Sequence, residues 1–489
     1  MQWSQRSQRP PAQFASLSVA RVAVVLAIVC APMTARAQGF GINEIGTCAA
    51  SRGFAVTGSP CNDASAIYWN PAATTGLTGW SAYVGSAFID IKGSFTQDTT
   101  FRTYDADAPM AVVPHLFLNY HAANSSLSYG LGVYVPYGLT SQWSDNFPGR
   151  FEAQKSSIQT IYFQPNVAYQ LGSRWSIGGG PVIGRSSVEL KQGLDLSQQA
   201  ASPTSTFAQL GIPAGTQFGT ARLKGDAMAY GFHVGAYGKL NDAWTVGVRF
   251  LSSLTFKYDN ATATFAQVNT GIVLPANNPI CLNSPATCGD ASTTRPDTLV
   301  APIDAILSTQ FTAGGPLVTQ GVSTEITHPA QIEAGFGYSG FKDWLISADY
   351  AWVGWKQFKT LPVNFKGSAP SRTLIEDYNN SSAIRVGAQR AFTNGAQLRV
   401  GFAGVASAAP DETVTPLLPE QDRAYYSIGG AYPITKMLTL EGAYLRVQAP
   451  GKRGRIVERT LRSQTATQLN SGRYELSANV FSFSLKASF

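Results

Sequence analysis

Phe481-Ser482-Phe483-Ser484-Leu485-Lys486-Ala487-Ser488-Phe489 closes the chain with apolar and polar residues in alternation. Successive side chains of an extended strand leave on opposite faces, so this stretch is a strand with one greasy and one polar face. The pattern recurs upstream with apolar residues at even positions: Met228, Tyr230, Phe232 and Val234; Trp244, Val246, Val248 and Phe250; Leu398, Val400 and Phe402. The intervening positions supply Arg249, Glu333, Asp349, Arg385, Arg399 and Glu441. Charges of both signs would be costly against hydrocarbon but pair in a wet lumen as a structural network. An ordinary sandwich strand explains one such segment; its recurrence points to strands held between lipid and a polar interior.

Counted along the chain, the segments fall near 80–96, 110–121, 127–136, 156–170, 174–190, 225–240, 243–258, 326–339, 343–360, 380–392, 396–406, 423–434, 437–448 and 473–489. Fourteen strands are expected. Even strands end in tight turns, Leu171 to Ser173, Asn241-Asp242 and Asn394-Gly395, whereas odd strands lead into longer loops. A transmembrane barrel with both ends in the periplasm has this asymmetry, and a terminal Phe such as Phe489 resembles the closing signature of outer-membrane barrels. The fold class predicted is all-β: a 14-stranded antiparallel transmembrane β-barrel.

Composition agrees. Charged residues make up 13% of the chain while Gly (47), Phe (26), Tyr (20) and Trp (9) are abundant, and about a quarter charged is usual for soluble chains. Arg6, Arg9 and Arg21 precede the apolar run Val22 to Cys30 and the small-x-small pattern Ala35-Arg36-Ala37, so residues 1–37 read as a signal peptide and the mature chain begins at Gln38. Removing the leader takes four arginines and no acid from the formal charge of +7, so the net charge falls to +3 and says little about nucleic acid. After the leader no apolar run reaches the ~18 residues that a transmembrane helix needs.

Residues 38–79 lack the strand pattern and are too few to bury a core alone, which predicts a plug folded inside the barrel of residues 80–489. Within it Asn70-Pro71-Ala72 reads as a helix start, with Asn70 as N-cap and Pro71 at the first helical position. Cys48, Cys61, Cys281 and Cys288 remain after the leader, an even set in an exported chain; close spacing favours Cys48 with Cys61 and Cys281 with Cys288, among three possible pairings. No histidine lies near either pair, so a zinc site is not expected. Two long loops, 191–224 and 259–325, carry apolar stretches at Phe207 to Ile212 and Ala301 to Phe311, the latter a candidate short helix. A groove that catches greasy ligands and a protective lid are both open readings.

Gly39-Phe40, Asn43-Glu44 and Asn70-Pro71-Ala72 resemble the N-terminal hatch of the fatty acid transporter and toluene-channel family. So do Gly130 to Leu139, Trp352 to Phe358, and Leu418-Pro419-Glu420-Gln421-Asp422-Arg423, with Glu420 where the family commonly has Asp. The resemblance implies a hatch closing the lumen, ligand landing among the loops, an apolar pocket, and release sideways where the third strand is kinked. It implies a pocket role for Phe40, a carboxylate contact at Lys191, and a lateral gate at Tyr129, Gly130 and Gly132, where glycines permit a bend. Hydrophobic small molecules are the implied cargo: long-chain fatty acids, alkanes or aromatics. Lipopolysaccharide, outer-membrane lipid and the barrel assembly machinery are the other expected partners, and a monomer the expected state.

An enzyme is not expected, nor a cofactor or metal. His115, His121, His233 and His328 form no motif with a serine, and Gly-x-Ser-x-Gly is missing. Gly335 to Gly340 fits G-x-G-x-x-G, but a turn and another strand follow where a helix would be needed. A general diffusion porin is the rival reading, with an outer-membrane hydrolase a distant third.

Overall fold

The computed structural model describes residues 39–202, 204–272, 302–454 and 471–489; the expected leader and the Cys281/Cys288 pair lie outside them. Fourteen strands form the barrel wall: β1 Gly79–Gln97, β2 Ala111–His121, β3 Leu127–Gln142, β4 Lys155–Leu171, β5 Trp175–Asp195 and β6 Gln217–Lys239. β7 runs through Trp244–Leu251 and Leu254–Gln267, and β8 through Gln320–His328 and Gln331–Tyr338. β9 is Trp344–Val353, extended by Thr360–Phe365, and β10 is Ser381–Ala391, preceded by Arg372–Ile375. β11 Gln397–Val405, β12 Arg423–Pro433, β13 Leu438–Gln448 and β14 Gly472–Ser488 complete the set. Neighbours pair antiparallel, and β14 returns to β1 from Ser81↔Ser488 to Gln97↔Gly472. Closure leaves no strand at a free end of the sheet, as hydrocarbon requires.

The alternation read from the sequence is the inside-outside order of this wall. Met228, Tyr230, Phe232 and Val234 are exposed on β6, as are Ile161, Phe163, Val167 and Tyr169 on β4, while Arg249, Glu333, Asp349, Arg385, Arg399 and Glu441 are buried within. The strands outrun their predicted ends. β5 continues to Asp195 and β6 begins at Gln217, so the first long connection shrinks from 191–224 to 196–216; β7 and β8 likewise shorten the second from 259–325 to 268–319. Above the membrane the outward face turns polar, as at Lys191, Arg222 and Lys224, and the apolar-outward alternation that betrays a strand within lipid fades. In the second loop the candidate helix forms as Pro302–Ser308. Its Ile303 and Leu307 pack with Leu196, Phe207, Ile212, Phe218 and Leu317, joining the two loops over one apolar core.

Inside the bore lies the hatch, with short helices α1 (Thr47–Ser51) and α2 (Ala66–Trp69) and a 3₁₀ turn at Pro71–Gly76. The Asn70 side chain accepts from Ala72 N at 3.3 Å and so caps that turn, with Pro71 at its first position. The same amide donates to Thr57 O and to Ala236 O of β6, both at 3.0 Å, tying turn, hatch and wall together. The hatch backbone approaches wall positions that lack a side chain: a Cβ on Gly401 would stand 2.1 Å from Gly53 N, and one on Gly247 2.2 Å from Thr57 O. Inward glycines of the barrel are thus seats for the plug.

A disulfide joins Cys48 to Cys61. Both sulfurs are thereby committed, so their proximity to Asp63 offers no metal site. The bond closes the hatch loop that carries Arg52, Phe54 and Thr57, and closing a loop of this length stabilises by about 3 kcal/mol. Replacing both cysteines with Ser is therefore expected to speed amide exchange in residues 48–61 by about a hundredfold, with the strand amides unchanged. Equal acceleration throughout the barrel would show that the bond is not a local staple.

Candidate functional site

Three features of the barrel interior and wall stand out. The first fastens the hatch. Glu333 of β8 faces Arg249 of β7 across the ladder and pairs with it at 2.6 Å, while its second oxygen pairs with Arg385 of β10 at 2.9 Å. That second oxygen also accepts the Thr57 hydroxyl at 3.0 Å. Asp349 accepts Thr57 N at 2.6 Å and Gly58 N at 3.3 Å, and Arg385 donates to Asn43 Oδ1 at 3.1 Å. Arg249 stacks over the Tyr68 ring at 4.6 Å. Farther round, Arg399 pairs with Glu441 at 2.9 Å, and Glu441 accepts the Tyr83 hydroxyl at 2.6 Å. The six inward charges picked from the sequence therefore form one lining, and several of them grip the hatch.

The second feature is an aromatic box at the start of the described chain. Phe40 is buried, with its ring centroid 4.7 Å from Trp355, 5.6 Å from His328, 5.9 Å from Phe358 and 6.0 Å from Tyr137. Polar tips are turned to the wall: the Tyr137 hydroxyl donates to Pro329 O at 3.0 Å, and the Tyr162 hydroxyl lies 3.0 Å from His328 Nδ1. The four rings meet Phe40 in T-shaped contacts, at interplanar angles from 64° to 83°. Glu420 holds the chain just before Phe40, accepting Gly39 N at 2.8 Å, while Arg423 donates to Gly39 O at 3.1 Å. Glu420 is fixed in turn by the Ser407 hydroxyl at 2.6 Å and Ala409 N at 2.9 Å.

The third feature is a window in the wall. The β2–β3 ladder runs from His121↔Ser128 to Leu116↔Val133 and stops there, although β3 stays paired with β4 as far as Gln142↔Lys155. Higher up, Asp107 N donates to Gln142 O at 2.8 Å and Ala106 bridges Trp143, closing the frame above. The hatch backs the gap from within: Ile42 N donates to Pro136 O at 2.9 Å, Gly138 N to Phe40 O at 3.0 Å, and Gly41 bridges Tyr137. The box and the window therefore share the Phe40–Ile42 segment as a common wall.

The cause of the gap is a bulge. Tyr134 faces Tyr162 and Tyr137 faces Thr160, so Val135 and Pro136 stand opposite Ile161 alone. Proline cannot donate to a ladder, and inside a strand it marks such a break. The sequence reading set the bend at Tyr129, Gly130 and Gly132, but these residues pair regularly on both sides, Gly130 with Asn119 and Asn166 and Gly132 with Phe117 and Gln164. Their missing side chains make room for the hatch instead, since a Cβ on Gly130 would meet Ile67 Cδ1 at 2.7 Å. Pro136 was the available signal, within a segment already read as a strand.

Lys191, expected to meet a carboxylate in the pocket, is placed elsewhere. It pairs with Lys155 and Arg222 on the outer face of the wall, whereas its neighbours Leu190 and Gln192 point inward. One residue of register decides the face. Those inward neighbours line, with Phe218, Leu223 and Phe265, a cavity of about 180 Å³ under the joined loops.

Comparison with known proteins agrees with the fold. The family described as outer membrane protein transport protein (OMPP1/FadL/TodX) matches residues 28–489. The long-chain fatty acid transport protein of Escherichia coli O6:H1 is 24% identical, over 86% of this chain and 89% of its own. The 47 kDa outer membrane protein of Pasteurella multocida is 23% identical, over 87% and 90%. Among solved structures, a FadL homologue of Pseudomonas aeruginosa has a TM-score of 0.72 at 21% identity, covering 92% of this chain and all of that one. The toluene transporter TodX of P. putida scores 0.61 at 15% identity, covering 92% and 99%. With the whole barrel and hatch inside the matched span, this chain belongs to the OMPP1/FadL/TodX family of outer-membrane transport proteins.

Proposed function

We propose that the protein is a passive channel that takes hydrophobic compounds, long-chain fatty acids or hydrocarbons, from the cell surface into the outer membrane. Cargo lands on the apolar core shared by the two long loops, passes through the cavity of Leu190, Phe218 and Phe265, and reaches the aromatic box around Phe40. It leaves sideways between β2 and β3. The observation that carries this reading is the framed gap above Leu116↔Val133, with the Phe40–Ile42 segment as its inner wall.

Lateral release fits the energetics. Each CH₂ turned out into aqueous periplasm costs about 0.8 kcal/mol, whereas a side exit passes the chain from protein to lipid with its apolar surface covered. The hatch, held by Glu333, Asp349 and Glu420, stands across the downward path. As for cargo, Arg249 and Arg385 share Glu333, and Arg399 has Glu441. With Asp349 beside Arg385 as its cross-strand partner, the three arginines face three carboxylates, and a lining balanced in this way offers an anionic cargo little, which favours uncharged apolar compounds.

Mass spectrometry of small molecules retained by the protein, purified in a detergent that differs from them in mass, tests the reading. Alkanes or aromatics are the expected finds, with fatty acids supporting the channel but not the preference. In planar bilayers the protein is expected to be nearly silent to ions. Steady porin-like conductance with no retained apolar molecule would overturn the proposal in favour of general diffusion.

A further inference from the structure

Above its apolar band the outer wall of β4, β5 and β6 carries a cationic patch with no role in the route just described. Cross-strand partners point to the same face, so the registers order the outward residues in level rungs. Phe163, Ile183 and Tyr230 form an apolar rung, and Ile161, Arg185 and Met228 the next. Then come Gln159, Ser187 and Asp226, above them Ser157, Glu189 and Lys224, and at the top Lys155, Lys191 and Arg222. With a rise of ~3.3 Å per residue and a strand tilt of ~45°, the two upper rungs stand about 9–14 Å above the rung of Ile161 and Met228. That is the height at which headgroups replace acyl chains.

Charge in these rungs is unbalanced. Glu189 is gripped by Arg222 at 2.6 Å and Lys155 at 3.2 Å, with Lys224 at 4.0 Å. One carboxylate orients these three cations without neutralising them. Among the described residues no carboxylate lies within ion-pair distance of Lys191 or Arg185, and Asp226 is the only other acid in the rungs. The side chains of Arg222 and Lys224 remain about half exposed, at 47% and 56%.

We propose that this patch binds the phosphate groups of the glycolipid of the outer leaflet, with its acyl chains lying along Ile161, Phe163, Met228 and Tyr230. Arg222 and the three lysines supply donors suited to phosphate oxygens, at the height of the headgroups and facing outward. The bound lipid would sit beside β3, whose upper half frames the window, and would hold the membrane against that part of the wall. The inference rests on the barrel and its registers, and not on the nature of the cargo.

The full-length mature protein in detergent, titrated with bisphosphorylated lipid A and with its dephosphorylated form by native mass spectrometry, provides the test. The phosphorylated lipid is expected to bind at least tenfold more tightly. The triple variant Lys155→Gln, Lys191→Gln, Lys224→Gln is expected to lose that preference while taking up apolar cargo normally. Should the triple variant fail to assemble, Lys191→Glu, at a side chain outside the Glu189 cluster, is expected to weaken the phosphorylated lipid at least fivefold. Equal binding of the two lipids by the unmodified protein would overturn the assignment, as would an undiminished preference in an assembled variant. Displacement of the lipid by millimolar inorganic phosphate would overturn it too, by making free phosphate the ligand.

Discussion

Replacing Glu333 with Ala is expected to loosen the hatch and open the bore to ions. Glu333 is the shared partner of Arg249 and Arg385, both fully buried, at 2.6 and 2.9 Å. Removing one partner of a buried ion pair leaves an uncompensated charge and costs about 3–5 kcal/mol; here two guanidiniums lose the same carboxylate. Here the wall cannot give way, because the segments that carry Arg249, Glu333 and Arg385 are held by ladders on both sides. The hatch can. Thr57 loses the acceptor of its hydroxyl, Arg249 pulls away from Tyr68 toward any water that enters, and the Asn43 contact of Arg385 weakens with it. The expected result is discrete ion conductance in planar bilayers and faster proteolysis or amide exchange in residues 39–78, from a barrel that still migrates as folded on gels. A second variant separates charge from shape. Glu333→Leu with Arg249→Met and Arg385→Met removes the whole network, and well-packed apolar replacements of buried ion clusters are often neutral or stabilising. This triple variant is expected to recover most of the lost order. If Glu333→Ala stays silent to ions and exchanges like the unmodified protein, the network does not hold the plug.

Much of this was legible in the sequence, and what was not shares a cause. Period two is imposed by lipid on one face and lumen on the other, so strands within the membrane announced themselves, down to the inward parity of Arg249, Glu333 and Glu441. Asn70-Pro71 announced its turn because capping is local chemistry. Contacts that depend on which residues meet across the bore were not visible: Phe40 with Trp355 and His328, or Glu420 with Gly39, bring together positions hundreds of residues apart. Register hid the rest. Lys191 falls on the lipid side by a single residue, and β7 breaks at Ser252 and Ser253 so that Leu254, Phe256 and Tyr258 turn into the bore against Gly184 of β5 and Gly225 and Gly231 of β6. No local pattern of charge or hydropathy encodes such a break. Pro136 alone carried a readable mark.

That residue gives the sharpest test of the route. Deleting Pro136 is expected to close the window and cut uptake of apolar compounds at least tenfold, with barrel assembly intact. On the β4 side the bulge opposes two residues to one, Val135 and Pro136 to Ile161, so removing one restores the count. Tyr134 and Tyr137 both face inward and are buried. A single deletion lets the inward-outward order run on unbroken, and no side chain above the site is forced to change face. With the bulge gone, the upper half of β3 lies straight beside Ala111 to His115 of β2, which then gain the ladder partners that they lack above Leu116↔Val133. Each new backbone bond favours closure by about 0.5–1.5 kcal/mol, and the loss of proline restores an N–H able to donate. The Phe40–Ile42 segment meanwhile loses Pro136 O as the acceptor of Ile42 N. Uptake of a labelled alkane or fatty acid by cells carrying the variant, set against the amount of folded barrel in their outer membrane, reads the outcome. Pro136→Ala keeps the extra residue, so it keeps the bulge, and it is expected to transport nearly as well as the unmodified protein. That contrast separates the window from the proline ring. A deletion variant that assembles fully and still transports at the original rate would mean that cargo leaves by some other path, and the gap between β2 and β3 would no longer belong to the mechanism.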